Sequence, residues 1–253
     1  MVHFVGAGPG APDLITVRGR KLLEDADVVI YAGSLVNPAL LKVCRKDCRI
    51  FNSAGMTLEE VLSEMEKAEK ENLVTVRLHT GDPSLYGAVR EQMDALDKRK
   101  ISYDDCPGVS SFCGAAAALN LEYTLPDISQ SVILTRMEGR TEVPEREKIR
   151  DLAAHGSTMV IFLSAGMTEK LSAELIRGGY PKDTPAAIVC RASWPDEKRV
   201  RCTVGTLKEA AERNGISRTA LIIVGNVLGT GYGRSKLYDP SFTTGYRKGT
   251  GKE

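Results

Sequence analysis

Val2-His3-Phe4-Val5-Gly6-Ala7-Gly8-Pro9-Gly10-Ala11-Pro12 stands near the start of the chain, and the fold turns on how it is read. A short β-branched and aromatic run passes directly into a loop of three glycines and a proline, as at the end of a first α/β strand. The spacing satisfies G-x-G-x-x-A, the dinucleotide fingerprint, but that fingerprint needs a helix opening inside the loop, with free N–H groups facing a pyrophosphate. Pro9 has no N–H, and Pro12 turns Ala11 away from helical geometry. The second strand, Val28-Val29-Ile30-Tyr31-Ala32-Gly33, ends without the acidic residue that would hold a ribose. A nicotinamide or flavin is therefore disfavoured, and with no G-x-x-x-x-G-K-[ST] anywhere, ATP hydrolysis has no motif. The alternatives left are a stiff loop whose glycines let a ligand approach the backbone, or a plain structural turn.

Outward from that loop, short β-branched runs alternate with amphipathic stretches, the pattern of an α/β protein. Strands are predicted at His3–Val5, Val28–Tyr31, Arg49–Asn52, Val74–His79 and Ser102–Asp105, then at Ser131–Thr135, Thr158–Leu163, Ala186–Arg191, Arg199–Thr203 and Ala220–Val224. Helices are predicted at Ile15–Glu24, Pro38–Val43, Thr57–Glu71, Ala88–Lys98, Phe112–Leu121, Glu145–His155, Thr168–Arg177 and Leu207–Asn214. The third helix is the clearest, with Leu58, Val61, Leu62 and Met65 on one face and Thr57 with Glu60 forming a capping-box start. Met56, Met65 and Met93 fit core positions. Glu122–Gln130 is the linker candidate, and a boundary near Ala118–Leu121 gives domains 1–118 and 119–253. Arg234–Glu253 has five basic and two acidic residues without periodicity, so it is read as a tail or arm.

Composition narrows the class. The 253 residues are 42% hydrophobic and 26% charged, ordinary values for a globular protein. The 34 Lys and Arg nearly cancel the 33 Asp and Glu, which argues against nucleic-acid binding by bulk charge. No apolar run is long enough to span a membrane and no basic leader precedes the first strand, so a cytoplasmic protein is expected. The six cysteines include no C-x-x-C, and the three histidines are scattered, so buried reduced thiols and no metal site are expected.

Two further loops repeat the logic of the first. Thr80-Gly81-Asp82-Pro83-Ser84-Leu85-Tyr86-Gly87 follows the strand at Val74–His79, and Pro107-Gly108-Val109-Ser110-Ser111 follows that at Ser102–Asp105. Three small-residue loops at three strand ends would converge on one crevice, where open α/β sheets take their ligands.

Together Gly6–Gly10, Gly81–Gly87 and Pro107–Ser111 resemble the tetrapyrrole methylases. Tyr31–Val36 (YAGSLV), Leu134–Thr141 (LTRMEGRT), Ala192–Lys198 (ASWPDEK) and Arg234–Gly249 resemble the branch that methylates C-11 of precorrin-4 in cobalamin biosynthesis, nearer its cobalt-using, anaerobic form. The resemblance runs from Gly6 to Gly249. It implies a two-domain, non-Rossmann α/β fold with S-adenosylmethionine (SAM) in a cleft between the domains, S-adenosylhomocysteine (SAH) as product, no protein-bound metal and a homodimer. Carried over residue by residue, the family's SAM contacts are Pro9, Gly81, Asp82, Leu85, Ser110 and Ser111, with Leu163 and Ala192 from the second half. Sister enzymes often have Met and Gly at those last two positions.

An electron-rich pyrrole carbon needs no activated nucleophile, which suits a sequence with no triad and no metal set. No acid–base residue is assigned. Asp82 is the one ligand-positioning candidate, either holding the SAM ammonium or capping an Asp-Pro turn. A polyanionic substrate calls for fixed cations, so Arg136 and Arg140, with Glu138 between them, are substrate-binding candidates, against the alternative of an exposed ion pair. Tyr31 and Ser34 could meet the macrocycle, although Tyr31 also fits a core edge. Arg191 could face either ligand, and Arg247 and Lys248 are read as solvated. The implied reaction gives cobalt-precorrin-5A from cobalt-precorrin-4. The rival readings are a metal-free precorrin-4 methylase, a methylase of another tetrapyrrole carbon or of RNA, and a non-catalytic tetrapyrrole carrier.

Overall fold

The computed structural model describes residues 1–250, so the last three residues of the expected arm lie outside the described residues. Two compact units emerge. One comprises Met1–Ala115 together with Arg191–Glu197, the other Ala116–Cys190 with Lys198–Glu253. The first break thus falls a few residues before the boundary expected from sequence, and a short segment far along the chain belongs with the first unit.

The first unit is built on a five-stranded, wholly parallel sheet of β1 (Val2–Gly6), β2 (Val28–Tyr31), β3 (Arg49–Asn52), β4 (Thr75–His79) and β5 (Tyr103–Cys106), in the order β3-β2-β4-β1-β5. Because β4 lies between β1 and β2, the two strands that flank a dinucleotide-binding turn are not neighbours. Helix α1 (Val17–Asp25) also starts well past the glycine loop, and Ala11 is extended ahead of Pro12. Both observations remove the dinucleotide reading.

Helices cover both faces. On one, Val5, Val29, Val76 and Leu78 pack with Leu23 of α1 and Leu40. On the other, Phe4 and Ile30 pack with Val61, Leu62 and Met65 of α2 (Leu58–Lys70) and Leu96 of α3 (Arg90–Arg99). Met65 is fully buried, while Met56 and Met93 pack against the cluster from its edge. Thr57 and Glu60 form the expected capping box at the start of α2. Pro38–Val43 is a 3-10 segment rather than the predicted α-helix, a short piece capped by the Asn37 side chain, which accepts the Ala39 N–H.

The second unit carries a mixed sheet of β6 (Val132–Arg136), β7 (Thr158–Phe162), β8 (Pro185–Cys190), β9 (Lys198–Thr203) and β10 (Ala220–Val224), in the order β6-β7-β10-β8-β9. Only β6 and β7 pair in parallel; the other three pairings are antiparallel. Its core joins Met159, Ile161, Ile188 and Ile222 to Leu171 and Leu175 of α6 (Thr168–Arg177) and Leu207 of α7 (Leu207–Arg213). Of the helix predicted over Glu145–His155, only α5 (Ile149–Ala153) is α-helical, because Lys148 is extended and breaks it from the 3-10 turn at Glu145–Glu147. The linker candidate is irregular, with one bridge between Leu125 and Ser129.

The arm folds upon itself: one guanidinium nitrogen of Arg247 donates to the carbonyls of Leu237 (3.1 Å) and Asp239 (2.6 Å). Arg247 is exposed, as expected, and also braces the arm locally. The cysteines are also less uniform than expected. All six are free, but only Cys106 is buried, and Cys113 is exposed. No helix among the described residues is long and apolar enough to cross a membrane.

Candidate active site

The three glycine loops leave β1, β4 and β5, which lie side by side in the first sheet, and the structure brings them into direct contact. Gly8 and Gly81 exchange backbone hydrogen bonds, Gly81 N–H to the Gly8 carbonyl at 2.8 Å and Gly8 N–H to the Gly81 carbonyl at 3.2 Å. A Cβ at Gly6 would lie 2.5 Å from the Gly108 Cα, and one at Gly108 would lie 2.2 Å from the Gly81 carbonyl oxygen. Every atom met is backbone, so three main chains touch where side chains cannot fit. The Gly8, Gly81 and Gly108 N–H groups are spent within this junction, so what the absent side chains leave is room for close approach to the main chain and not free donors.

Asp82 ties two of the loops together. One carboxylate oxygen accepts the Gly108 N–H at 2.8 Å; the other accepts the Ser84 N–H at 2.9 Å and the Ser84 hydroxyl. Burial alone would raise its pKa, but the hydrogen bonds from Ser84 and Gly108 prevail and hold it below the usual carboxylate range. Of the two alternatives weighed for Asp82, the turn cap is present, and the residue also sits at the junction of the second and third loops.

The third loop feeds α4 (Ser111–Leu119), whose first turn accepts from Cys113 and Gly114 N–H at the Ser110 carbonyl. Gly114 lets α4 close on two predicted site residues, since a Cβ there would lie 2.7 Å from the Pro9 Cβ and 3.5 Å from that of Ala192. Pro9, Ser110 and Ala192 are buried, while Asp82, Leu85 and Ser111 are partly exposed.

Segment 191–197 supplies what sequence reasoning missed. The Trp194 indole N–H donates to the Pro9 carbonyl at 3.2 Å, and the Ser193 hydroxyl accepts the Ala11 N–H at 3.0 Å. Asn37 adds a third tie, donating to the Gly10 carbonyl at 2.9 Å. Arg191, an undecided ligand-facing candidate, stacks 4.3 Å above the Trp194 ring and pairs with Asp196 at 3.0 Å. Backbone strain gathers here, with Arg191 at φ 53° and Ser193 at φ 64°, and in the second loop with Tyr86 at φ 57° and Ala88 at φ 50°. The single Trp of the chain was the available signal.

In the second unit, Leu163 follows β7 with φ 54° and is 64% exposed, an apolar side chain held outward by a costly backbone. The next residue, buried Ser164, donates to the Phe162 carbonyl at 2.7 Å and accepts the Met137 N–H at 3.0 Å. It therefore pins the end of β7 to the loop after β6, a role the sequence did not signal. In that loop Arg136 donates to the carbonyls of Thr141 (3.2 Å) and Glu142 (2.6 Å), Glu138 faces Lys170 at 3.6 Å, and Arg140 is exposed. Within the expected Arg–Glu–Arg set, Arg136 thus braces its own loop, Glu138 pairs with α6 and Arg140 is exposed. In the first unit Tyr31 packs against the core edge, and Ser34 is exposed three residues on.

The full-chain pattern now meets known proteins. The model of the tetrapyrrole (corrin/porphyrin) methylases matches residues 1–208. The chain belongs to the tetrapyrrole methylase family. A cobalt-precorrin-4 C(11)-methyltransferase of Methanocaldococcus jannaschii is 55% identical over 248 residues, 98% of this chain and 96% of that protein. The solved structure of a cobalamin biosynthetic enzyme, a cobalt precorrin-4 methyltransferase, aligns with a TM-score of 0.89 at 48% identity, covering 90% of this chain and 96% of that one. A uroporphyrin-III C-methyltransferase from Thermus thermophilus, solved with SAH, aligns at TM-score 0.74 and 27% identity over 90% and 92% of the two chains. The two-sheet α/β architecture is that of the family. The close main-chain junction at Gly6, Gly81 and Gly108 fits a methylase co-substrate that approaches the backbone, since no side chain stands there to block it.

His79, at the end of β4, is the one buried side chain among the described residues with a nitrogen, Nε2, lacking a partner. Burial, with the Arg77 guanidinium beside it, pushes its pKa down to about 3. With the folded value below the ordinary 6.5, protonation favours the unfolded chain, so this stability is whole above pH 6.5 and drains as pH falls toward 3. His79→Gln should therefore flatten the acid-side decline of the melting temperature; an unchanged slope would show that His79 does not stay neutral.

Proposed function

We infer that this chain is a SAM-dependent C-methyltransferase of cobalamin biosynthesis that converts cobalt-precorrin-4 to cobalt-precorrin-5A. The observation that carries the reading is the backbone cradle formed by three loops that bear the family's glycines, in a chain 55% identical across 98% of its length to a cobalt-precorrin-4 methyltransferase.

SAM supplies an electrophilic methyl group carried on a sulfonium. Pro9, Gly81, Asp82, Leu85, Ser110, Ser111, Leu163 and Ala192 are the residues proposed to hold it. The glycines bring main-chain groups close, Asp82 keeps the second and third loops in register, and Leu163 and Ala192 offer apolar surface. Negative charge near this cradle suits a cationic donor: Asp82 is held ionised, and Asp105 stands close enough for Asp82 to raise its pKa after burial has done so. Because the acceptor is an electron-rich ring carbon, the residues contribute alignment and exclusion of water, and no acid–base group is assigned. Tyr31, Ser34, Arg136, Glu138 and Arg140 are proposed on the tetrapyrrole side. The reading also takes the protein to be a cytoplasmic homodimer.

Mass spectrometry after incubation with SAM and either cobalt-loaded or metal-free precorrin-4 tests the reaction. One added methyl on the cobalt form alone is expected. Addition on the metal-free form alone would move the enzyme to the aerobic route. For the loop after β6, Arg136→Ala releases the carbonyls of Thr141 and Glu142, so KM for the tetrapyrrole should rise about tenfold while KM for SAM stays near wild type. Equal small effects on both substrates would remove Arg136 from the substrate side.

A further inference from the structure

In the alternating pattern of β4, Val76 and Leu78 face one side of the first sheet, so Arg77 and His79 face the other, toward α2 and α3. A cavity of about 270 Å³ lies there, lined by both residues, by Met56, Leu58 and Val61, and by Gln92 of α3. Arg77 is only 7% exposed. Its Nε donates to the Gln92 side-chain oxygen at 3.0 Å and its Nη1 to the Ile30 carbonyl at 3.1 Å, both neutral acceptors. Gln92 is itself fixed by a 2.9 Å bond to the Ala88 carbonyl. Burial alone lowers the Arg77 pKa, to about 10, with no carboxylate acting on it. Glu91 also lines the cavity but is exposed and forms no ion pair with Arg77.

A guanidinium has five N–H donors, and a buried cation without an anion is costly unless something pays for it. Two donors of Arg77 are committed. The His79 Nε2 is left without a partner on the same cavity wall. A cation with free donors beside an unsatisfied neutral imidazole, in a cavity whose wall also carries the apolar side chains of Met56, Leu58 and Val61, is complementary to a small anion on an apolar stem. A carboxylate with two equivalent oxygens matches the guanidinium fork.

We propose that this cavity is a carboxylate subsite that takes the end of one acidic side arm of the tetrapyrrole, with Arg77 as its fixed cation and His79 as a neutral hydrogen-bonding neighbour. The proposal rests on the tetrapyrrole methylase reading and deepens it. It makes Arg77 a substrate-binding residue distinct from the candidates of the loop after β6.

The test uses the full chain with Arg77→Met, which keeps the length and apolar packing of the stem, and Arg77→Lys, which keeps the charge without the fork. KM for cobalt-precorrin-4 should rise about tenfold or more in the Met variant and less in the Lys variant, while SAH affinity by calorimetry is unchanged. In the wild type, the imidazole signal of His79, one of three histidines, should move on addition of uroporphyrin III and stay still with its octamethyl ester. If the wild type methylates its substrate, the Met variant matches its KM, and His79 ignores uroporphyrin, the subsite is overturned and the enzyme reading stands. If the wild type binds SAH but neither methylates precorrin-4 nor binds uroporphyrin, the tetrapyrrole reading falls and the subsite with it. Should the Met variant fail to fold, the Lys variant and the His79 signal decide by the same criteria.

Discussion

Gly108→Ala should reduce SAH affinity by on the order of 100-fold and lower the melting temperature measurably. The added methyl would stand 2.2 Å from the Gly81 carbonyl oxygen and 2.7 Å from the Gly6 Cα. No rotamer change relieves this, because both neighbours are main chain of strand-anchored loops. Overpacking of this kind costs about 1–3 kcal/mol. In a chain of this size each kcal/mol is worth about 2–4 °C. The binding loss should exceed the stability loss, since the loops can relieve the clash by separating at their tips, which opens the cradle while β1, β4 and β5 stay paired. Gly55→Ala is the control: a Cβ there meets nothing within 4 Å, so melting and SAH binding should match wild type. Full SAH affinity in Gly108→Ala, measured by calorimetry, would mean that the three-loop contact only closes the sheet and does not receive the co-substrate.

That contact shows where sequence is informative and where it stops. Each loop was visible alone, because Gly and Pro directly after a β-branched run have few other uses. Strands such as Val28–Tyr31 and Ala220–Val224 were located to the residue for the same reason: β-branched runs bounded by turn residues are local signals. The order β3-β2-β4-β1-β5 is a matter of non-local pairing, and no local pattern states that β4 enters between β1 and β2. The ties on the first loop are equally non-local: Ser193 and Trp194 reach Ala11 and Pro9 across 182 and 185 residues of chain. Arg77 and His79 were legible only as alternate members of a strand. Their meaning depends on three-dimensional surroundings that spacing cannot show: among the described residues Arg77 meets only neutral acceptors and His79 Nε2 meets none. In the loop after β6, spacing shows the residues but not their local partners. Arg136, Glu138 and Arg140 are close in sequence, yet Arg136 is spent on its own loop's carbonyls and Glu138 on Lys170.

Asp82→Asn should be nearly as damaging to SAH binding as Asp82→Ala. The usual expectation is that an isosteric amide spares a residue with no charge-transfer role, but the bonds at this site argue otherwise. All three groups that meet the carboxylate are donors: the Gly108 N–H on one oxygen, and the Ser84 N–H and hydroxyl on the other. An amide has one acceptor oxygen, so whichever way it turns, its NH2 confronts a backbone N–H that cannot rotate away. Each unpaired, partly buried N–H costs about 1–3 kcal/mol, or about 5- to 150-fold if it is expressed in binding. Alanine leaves both loops unbraced; asparagine keeps one bond and adds a repulsion at the other. The pH dependence separates this bracing role from acid–base chemistry. The folded pKa of Asp82 lies below its ordinary 3.8, so the brace is complete above that value and is lost only as pH falls through the lower folded one. Between about pH 6 and 9 the carboxylate stays ionised. Asp82 should therefore add no inflection to kcat/KM, and wild type and Asp82→Asn should give parallel profiles that differ in height. An acid limb present in the wild type and missing from the asparagine variant would instead show a proton moving at Asp82, and would make it a catalytic acid or base.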